Sequence, residues 1–255
     1  MGSGSYCFSD SYEEGSRKSA RVIVPLVLDL VRPKSVIDVG CGLGSWLAVF
    51  EEFGIKDFLG VDGDWIDEGL LKIQKDKFVR HDIKKPFNPR RCFDLVVSME
   101  VGEHLPPESA GVYVDILTGL GPVVLFSAAI PHQGGGPHLN EQWPDYWAGL
   151  FEKKGFTAVD AIRKRIWSDN EVHWWYAQNA LMFVDERHLA KNPSLQEERR
   201  RTSGAQLSIV HPRRYLGAIE TLSDPRNMEF GKVLKALPNL AEKAFKRAFL
   251  RKNKK

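Results

Sequence analysis

Cysteine is scarce. The 255 residues hold three, Cys7, Cys41 and Cys92, an odd number without metal-ligand or redox spacing, which excludes a disulfide scaffold and fits a reducing compartment. Long apolar runs are missing too. Uncharged apolar stretches such as residues 119–133 fall short of the ~20 apolar residues that cross a bilayer, and the polar, acidic N-terminus has no signal-peptide core. No segment repeats. Residues 1–188 are poor in positive charge, with 20 Lys and Arg against 27 Asp and Glu. That argues against a nucleic-acid-binding core, because polyanion affinity comes mostly from basic side chains neutralising phosphates. The expectation is a cytoplasmic protein that meets a membrane, if at all, only at its inner face.

What is present is an ordinary globular composition, 43% hydrophobic and 27% charged, long enough for one substantial core and an appendage. Residues 1–5 read as an artificial cloning scar and are set aside. Val22, Ile23, Leu26, Val27 and Leu30 mark one helical face, ended by Pro33. Residues 35–39 form an apolar run that predicts a strand, broken by Gly40-Cys-Gly-Leu-Gly44, after which Trp46, Leu47, Val49 and Phe50 resume helical spacing. Further strands are predicted over residues 58–61, ending in Asp62, over 77–80, ending near His81 and Asp82, over 93–98 and over 123–127. Helical stretches lie between them, among them 113–117 and 146–151. This alternation implies a mostly parallel sheet covered on both faces. Residues 157–166 and 174–184 read as two extended, aromatic-rich runs joined by 167–170, which should pair antiparallel and bring the sheet to seven strands. The expected organisation is a scar and arm over 1–16, an α/β domain over 17–188, and a mainly helical extension over 189–255 with 16 Lys and Arg against 6 Asp and Glu.

Glycines 40, 42 and 44 permit a tight turn that brings backbone amides to a ligand at a helix N-terminus. Such turns also occur with nothing bound, and Asp62 or Asp82 taken singly suits a solvated turn. Three such features at successive strand ends are more telling, because ligands of open parallel sheets gather at the carboxyl ends of the strands. The glycines lack the late third member that lets a helix pack beside a pyrophosphate, which argues for a cofactor without phosphates.

In this order and spacing, VIDVGCGLGSWL, FLGVD, RHDI and FDLVVSMEVGEHLP resemble the motifs of class I S-adenosylmethionine-dependent methyltransferases, over roughly residues 17–185. The resemblance implies a Rossmann-like sheet closed by an antiparallel hairpin. It implies Gly40, Gly42 and Gly44 along the cofactor's amino-acid part with Asp38 at the base of the turn, Asp62 on the ribose, and Asp82 with the backbone of Ile83 on the adenine.

Glu100, Glu103 and His104 follow the fourth strand, and helical spacing there would put all three on one face. Two carboxylates and an imidazole are either a hard-cation site or a hydrogen-bonded structural cluster. With no Lys or Arg in residues 98–114, the carboxylates would repel unless a proton or a metal sat between them. E-V-G-E-H resembles the divalent-metal motif of the ubiquinone-biosynthesis O-methyltransferases and the small-RNA 2′-O-methyltransferases. The latter add a histidine from the loop after the fifth strand, a position that His138 matches. That resemblance implies Mg2+ or Mn2+ on Glu100, Glu103, His104 and His138, with Glu103 and His104 also in the catalytic group. The glycine-rich loop departs from the RNA-modifying pattern. His132, just past the fifth strand, is the expected general base, and the bland reading of both loop histidines is hydrogen bonding to backbone. Among the many aromatics of residues 143–176, Trp143 and Trp174 are the expected substrate-facing ones, the rest being core.

The expected activity is metal-assisted O-methylation of a small polar substrate such as a sugar or glycan intermediate. Metal-independent N-methylation and a non-catalytic cofactor-binding regulator are the alternatives. In the extension, Leu240, Ala244, Phe245, Ala248 and Phe249 repeat at helical spacing among Lys and Arg. Such a basic amphipathic helix packs against its own body or a homodimer partner, or rests on an anionic membrane.

Overall fold

The structure, a computed structural model, describes residues 10–227 and 230–252. The expected scar and Cys7 lie outside the described residues. The chain runs α1 (Asp10–Val31), β1 (Ser35–Val39), α2 (Ser45–Glu52), β2 (Asp57–Asp62), β3 (Phe78–Arg80), β4 (Leu95–Met99), α3 (Ala110–Leu120), β5 (Val123–Ser127), α4 (Pro144–Glu152), β6 (Phe156–Val159), α5 (Arg163–Ile166), α6 (Trp174–Asn179), β7 (Leu181–Asp185), α7 (Glu186–Leu189), α8 (Pro193–Arg200), α9 (Pro212–Ser223) and α10 (Phe230–Lys252).

The sheet has the expected seven strands, in the order β3-β2-β1-β4-β5-β7-β6. All neighbours are parallel except β7, which runs antiparallel to β5 and β6. The central strands are apolar at every other residue on both sides because both faces are covered. Val36, Leu95 and Val97 pack with Ile23 and Val27 of α1 and Phe50 of α2. Ile37, Val39 and Val96 point the other way, into Tyr113 and Leu117 of α3 and Trp147 and Phe151 of α4. The order reverses between β1 and β4, so their carboxyl ends open onto a crevice.

Three expectations need correction. The first helix begins at Asp10, so residues 10–16 are not an arm outside the domain. The two long extended runs are instead short strands, β6 and β7, with α5 and α6 between them. Ile162 and Ile166, and again Tyr176 and Ala180, are buried in the α1 cluster four residues apart, the spacing of a helix rather than a strand. The compact unit does not stop at 188 but continues to His211. Arg163 explains the difference: its buried guanidinium pairs with Asp160 and donates to the carbonyls of Gln178, Gln206 and Leu207, at 3.1, 3.2 and 2.6 Å. Buried Glu198 of α8 likewise takes Lys164 and Arg165. The second unit, residues 212–255, consists in its described part of α9, a short 3-10 turn and α10. No helix among the described residues is long and apolar enough to cross a membrane.

Candidate active site

A cavity of about 710 Å3 lies over the carboxyl ends of the central strands. One end is the glycine turn. Gly40 has φ +82°, and a Cβ there would sit 2.5 Å from Cγ2 of Val101, so both the conformation and the space demand glycine. Gly44 has φ +84° and caps α2, but it faces Ile73, 2.9 Å from where its Cβ would be, and does not line the cavity. Of the three glycines expected along the cofactor, Gly40 and Gly42 line this cavity and Gly44 does not.

Asp38, Asp62, Asp82 and Ile83 also line the cavity. Asp62 is buried, and each oxygen accepts one backbone amide: Oδ2 from Gly42 and Oδ1 from Gly63, both at 2.7 Å. Burial raises its pKa, against the pull of those amides and of Trp65, which stands beside it in the wall. Asp38 is raised well above the carboxylate range by burial and by the nearby Asp62 charge. Asp82 is lowered: burial pushes it up, but the Lys84 amide and the Lys84 and Lys85 charges outweigh that.

The other end was only partly anticipated. Glu100 follows β4 at φ +56°, a left-handed conformation unusual for a residue with a Cβ. It is held there by its amide, which donates to the Ser127 carbonyl at 2.9 Å and to Ser127 Oγ at 3.0 Å. The expected helix is therefore absent, and Gly102–His104 forms a single 3-10 turn. As a consequence Glu100 stays beside Glu103 but does not join the two histidines. Its carboxylate accepts from Gln133 Nε2 at 2.8 Å and Asn179 Nδ2 at 3.0 Å, and Gln133 Oε1 accepts in turn from Asn179 and Gln178.

Glu103, His104 and His138 do come together, each presenting an atom within 4.8 Å of the others. The backbone explains how. The Glu103 carbonyl accepts the amides of Leu139 and Asn140 at 2.7 and 2.9 Å, which pins the glycine-rich loop onto the 3-10 turn. His104 Nδ1 meets the Pro137 carbonyl at 3.2 Å and His138 Nδ1 the Glu141 carboxylate at 2.8 Å. Both partners can only accept, so each ring carries a proton on Nδ1, which leaves Nε2 as the nitrogen that could face a ligand. Burial lowers the pKa of His104, which favours the neutral ring.

Glu103 is buried, and neither carboxylate oxygen has a hydrogen-bond partner. The amides of Glu103 itself and Ala129 lie close enough to offset part of its shift without making a bond of proper geometry. Burial and the Glu100 charge nevertheless raise its pKa well above the usual range.

Two expected site residues are elsewhere. His132 is exposed at φ +64°, with its amide on Glu141, and does not line the cavity. Trp143 is 41% exposed at the start of α4 and is absent from the wall as well. Both precede elements whose direction the sequence does not reveal. Trp174 lines the cavity, beside Trp175 and Tyr176. Sequence reasoning missed Tyr12, Glu13 and Ser16 of α1, which line it too. Ser45 Oγ donates to Glu13, and Ser16 Oγ lies 3.2 Å from the Tyr176 hydroxyl. The spacing of Ser16, Ala20, Ile23 and Val27 could have extended the helix back that far.

Residues 12–112 match the family model described as a methyltransferase domain. The matched stretch contains the glycine turn, Asp62, Asp82 and the Glu100 to His104 segment; His138 lies beyond it. Among solved structures the chain is similar to DesVI of Streptomyces venezuelae, at 17% identity over 69% of this chain and 94% of that one, TM-score 0.49. It is similar as well to the methyltransferase domain of bacterial-CtHen1-CN, at 18% identity over 66% and 97%, TM-score 0.47. A third is magnesium protoporphyrin IX methyltransferase (ChlM) from Synechocystis PCC 6803 with bound SAH, at 17% identity over 72% and 90%, TM-score 0.48. No curated protein matches the chain. The matched domain, with the glycine turn and the sheet order, supports a methyltransferase that uses S-adenosylmethionine.

Proposed function

We propose that the protein is a metal-assisted O-methyltransferase acting on a hydroxyl of a small polar substrate, such as a sugar or glycan intermediate. The observation that carries this reading is Glu103, a buried carboxylate whose two oxygens accept no hydrogen bond, beside the imidazoles of His104 and His138. Leaving such a group unsatisfied costs several kcal/mol unless a proton or a cation completes it.

At the glycine-turn end, S-adenosylmethionine would supply a sulfonium methyl group. Asp62 keeps a second lone pair on each oxygen for the ribose hydroxyls, while Asp82 and the Ile83 backbone face the adenine. At the other end, Glu103, His104 and His138 would hold a divalent cation. Such a cation supplies positive charge that lowers the pKa of an acceptor hydroxyl, so that no dedicated base is needed near neutral pH. His132, away from the cavity, has no part in this. Pro137 and Glu141 orient the two imidazoles from behind, as outer partners of metal ligands do. Two imidazoles with one carboxylate suit Mn2+ better than Mg2+, which prefers oxygen ligands. Tyr12, Trp174 and Trp175 offer aromatic faces on which a sugar ring can stack.

The Glu103 oxygens would equally take a protonated amine, so N-methylation is the second reading. The test is transfer of labelled methyl from S-adenosylmethionine to acceptors in a cell extract, with and without chelator. Transfer abolished by EDTA and restored by Mn2+ is expected. Full transfer in excess EDTA would favour the amine, and no transfer under any condition would leave only cofactor binding.

A further inference from the structure

The second unit carries an observation independent of the cavity. Residues 212–255 hold twelve Lys and Arg against four Asp and Glu, whereas the rest of the chain is acidic. Both described helices there also present large apolar side chains to solvent. In α9, Tyr215, Leu216, Ile219 and Leu222 are exposed and recur at one-face spacing. In α10, Phe230, Leu234, Leu237 and Phe245 do the same, with Phe230 and Phe245 each 79% exposed. Lys235, Lys243 and Lys246 fall on the other side of α10 by the same periodicity. In the first unit, apart from Leu139, Trp143 and Tyr146 around the start of α4, exposed large apolar residues such as Phe53, Leu70 and Val112 are scattered along the chain, the ordinary condition of a protein surface.

We propose that α9 and α10 dock this protein on an anionic lipid surface, lying in the interface and not spanning it. An apolar stripe and a polybasic charge are the two signals that stable peripheral attachment needs, and each alone gives only marginal binding. Neither helix is apolar enough to cross. An acidic protein surface would answer the lysines but would leave the apolar stripe wet; an anionic bilayer answers both.

The test is sedimentation of the full chain with vesicles of phosphatidylcholine alone or mixed equally with phosphatidylglycerol. Binding to the mixed vesicles only, weakened by added salt, is expected. Lys243→Ala with Lys246→Ala should weaken it by ~5-fold per lysine, the equivalent of ~1 kcal/mol each near an anionic surface. Leu234→Glu with Phe245→Glu, both at exposed positions, should release the protein without changing the thermal transition of the first unit. No binding at low salt overturns the proposal, and so does binding that the double glutamate variant leaves intact. A homodimer split by that variant, with no vesicle binding, assigns the stripe to a second copy and overturns it as well.

Discussion

The two ends of the cavity are built in opposite ways. At the glycine turn the acidic side chain is already engaged: each oxygen of Asp62 holds a backbone amide at 2.7 Å, and Gly40 is shaped around Val101. At the far end Glu103 is buried with both oxygens unanswered, although His104, His138 and Glu100 are each oriented by a partner. The first end is held by its own backbone amides. At the second, oriented groups surround a carboxylate whose oxygens accept no hydrogen bond, and in the proposed reading a ligand of positive charge completes it.

The sharpest break between the ends is expected from Glu103→Gln, which keeps the side chain's shape and removes its charge. Turnover should fall about 100-fold or more, as for groups essential to metal binding, while calorimetry finds the affinity for S-adenosylhomocysteine unchanged. A parallel loss of cofactor affinity would erase the distinction between the ends. Asp62→Ala should do the reverse. Cofactor binding should weaken by about 2–3 kcal/mol, ~30- to 150-fold, from lost charge-assisted bonds and two buried amides left without an acceptor. Retained affinity would put the ribose elsewhere. Gly40→Ala tests the rigidity of that end: the left-handed φ and the contact with Val101 should cost about 1–2 kcal/mol or more in urea unfolding, and an unshifted midpoint would mean the turn is soft.

The pH behaviour sharpens the contrast further. Because the Glu103 pKa is raised in the folded protein, its protonated form is favoured there. The contribution is present at pH below the ordinary glutamate value and is lost as pH rises through the raised one. Chelated protein should therefore lose thermal stability as pH climbs from the carboxylate range, and Glu103→Gln should flatten that fall. The residual slope belongs to Asp38, Asp62 and Glu100, which are raised in the same direction. An identical slope in the variant would mean that Glu103 is not desolvated. The smallest effect is expected from His132→Ala: as an exposed substitution off the cavity it should change turnover by no more than about twofold. A large loss that recovers at high pH would restore His132 as a base.

The sheet was legible because its signals are local. Val36, Ile37 and Val39 make residues 35–39 mostly apolar, glycines follow at once, and Asp62 and Asp82 close the next strands. The far end was legible in residue type but not in geometry. Glu100, Glu103 and His104 look equivalent at helical spacing; Glu100 does not join the histidines because Ser127, on another strand, captures its amide and fixes its left-handed backbone. Likewise His132 and His138 are interchangeable along the loop until the Glu103 carbonyl pins Leu139 and Asn140, turning His138 inward. Long-range contacts decided what spacing left open. The helices α5 and α6 were missed because Trp and Tyr favour strands on average, yet here Ile162, Ile166 and Tyr176 bury a helical stripe against α1.

The account rests most directly on what Glu103 binds. Mn2+ should be titrated calorimetrically into wild-type protein and Glu103→Gln, each saturated with S-adenosylhomocysteine, in buffers of different ionisation enthalpy. Wild type should bind one Mn2+ with release of a proton from Glu103, and the variant should bind none while still holding the cofactor. Equal Mn2+ affinity in the two proteins, or none in either while the cofactor binds both, would contradict it.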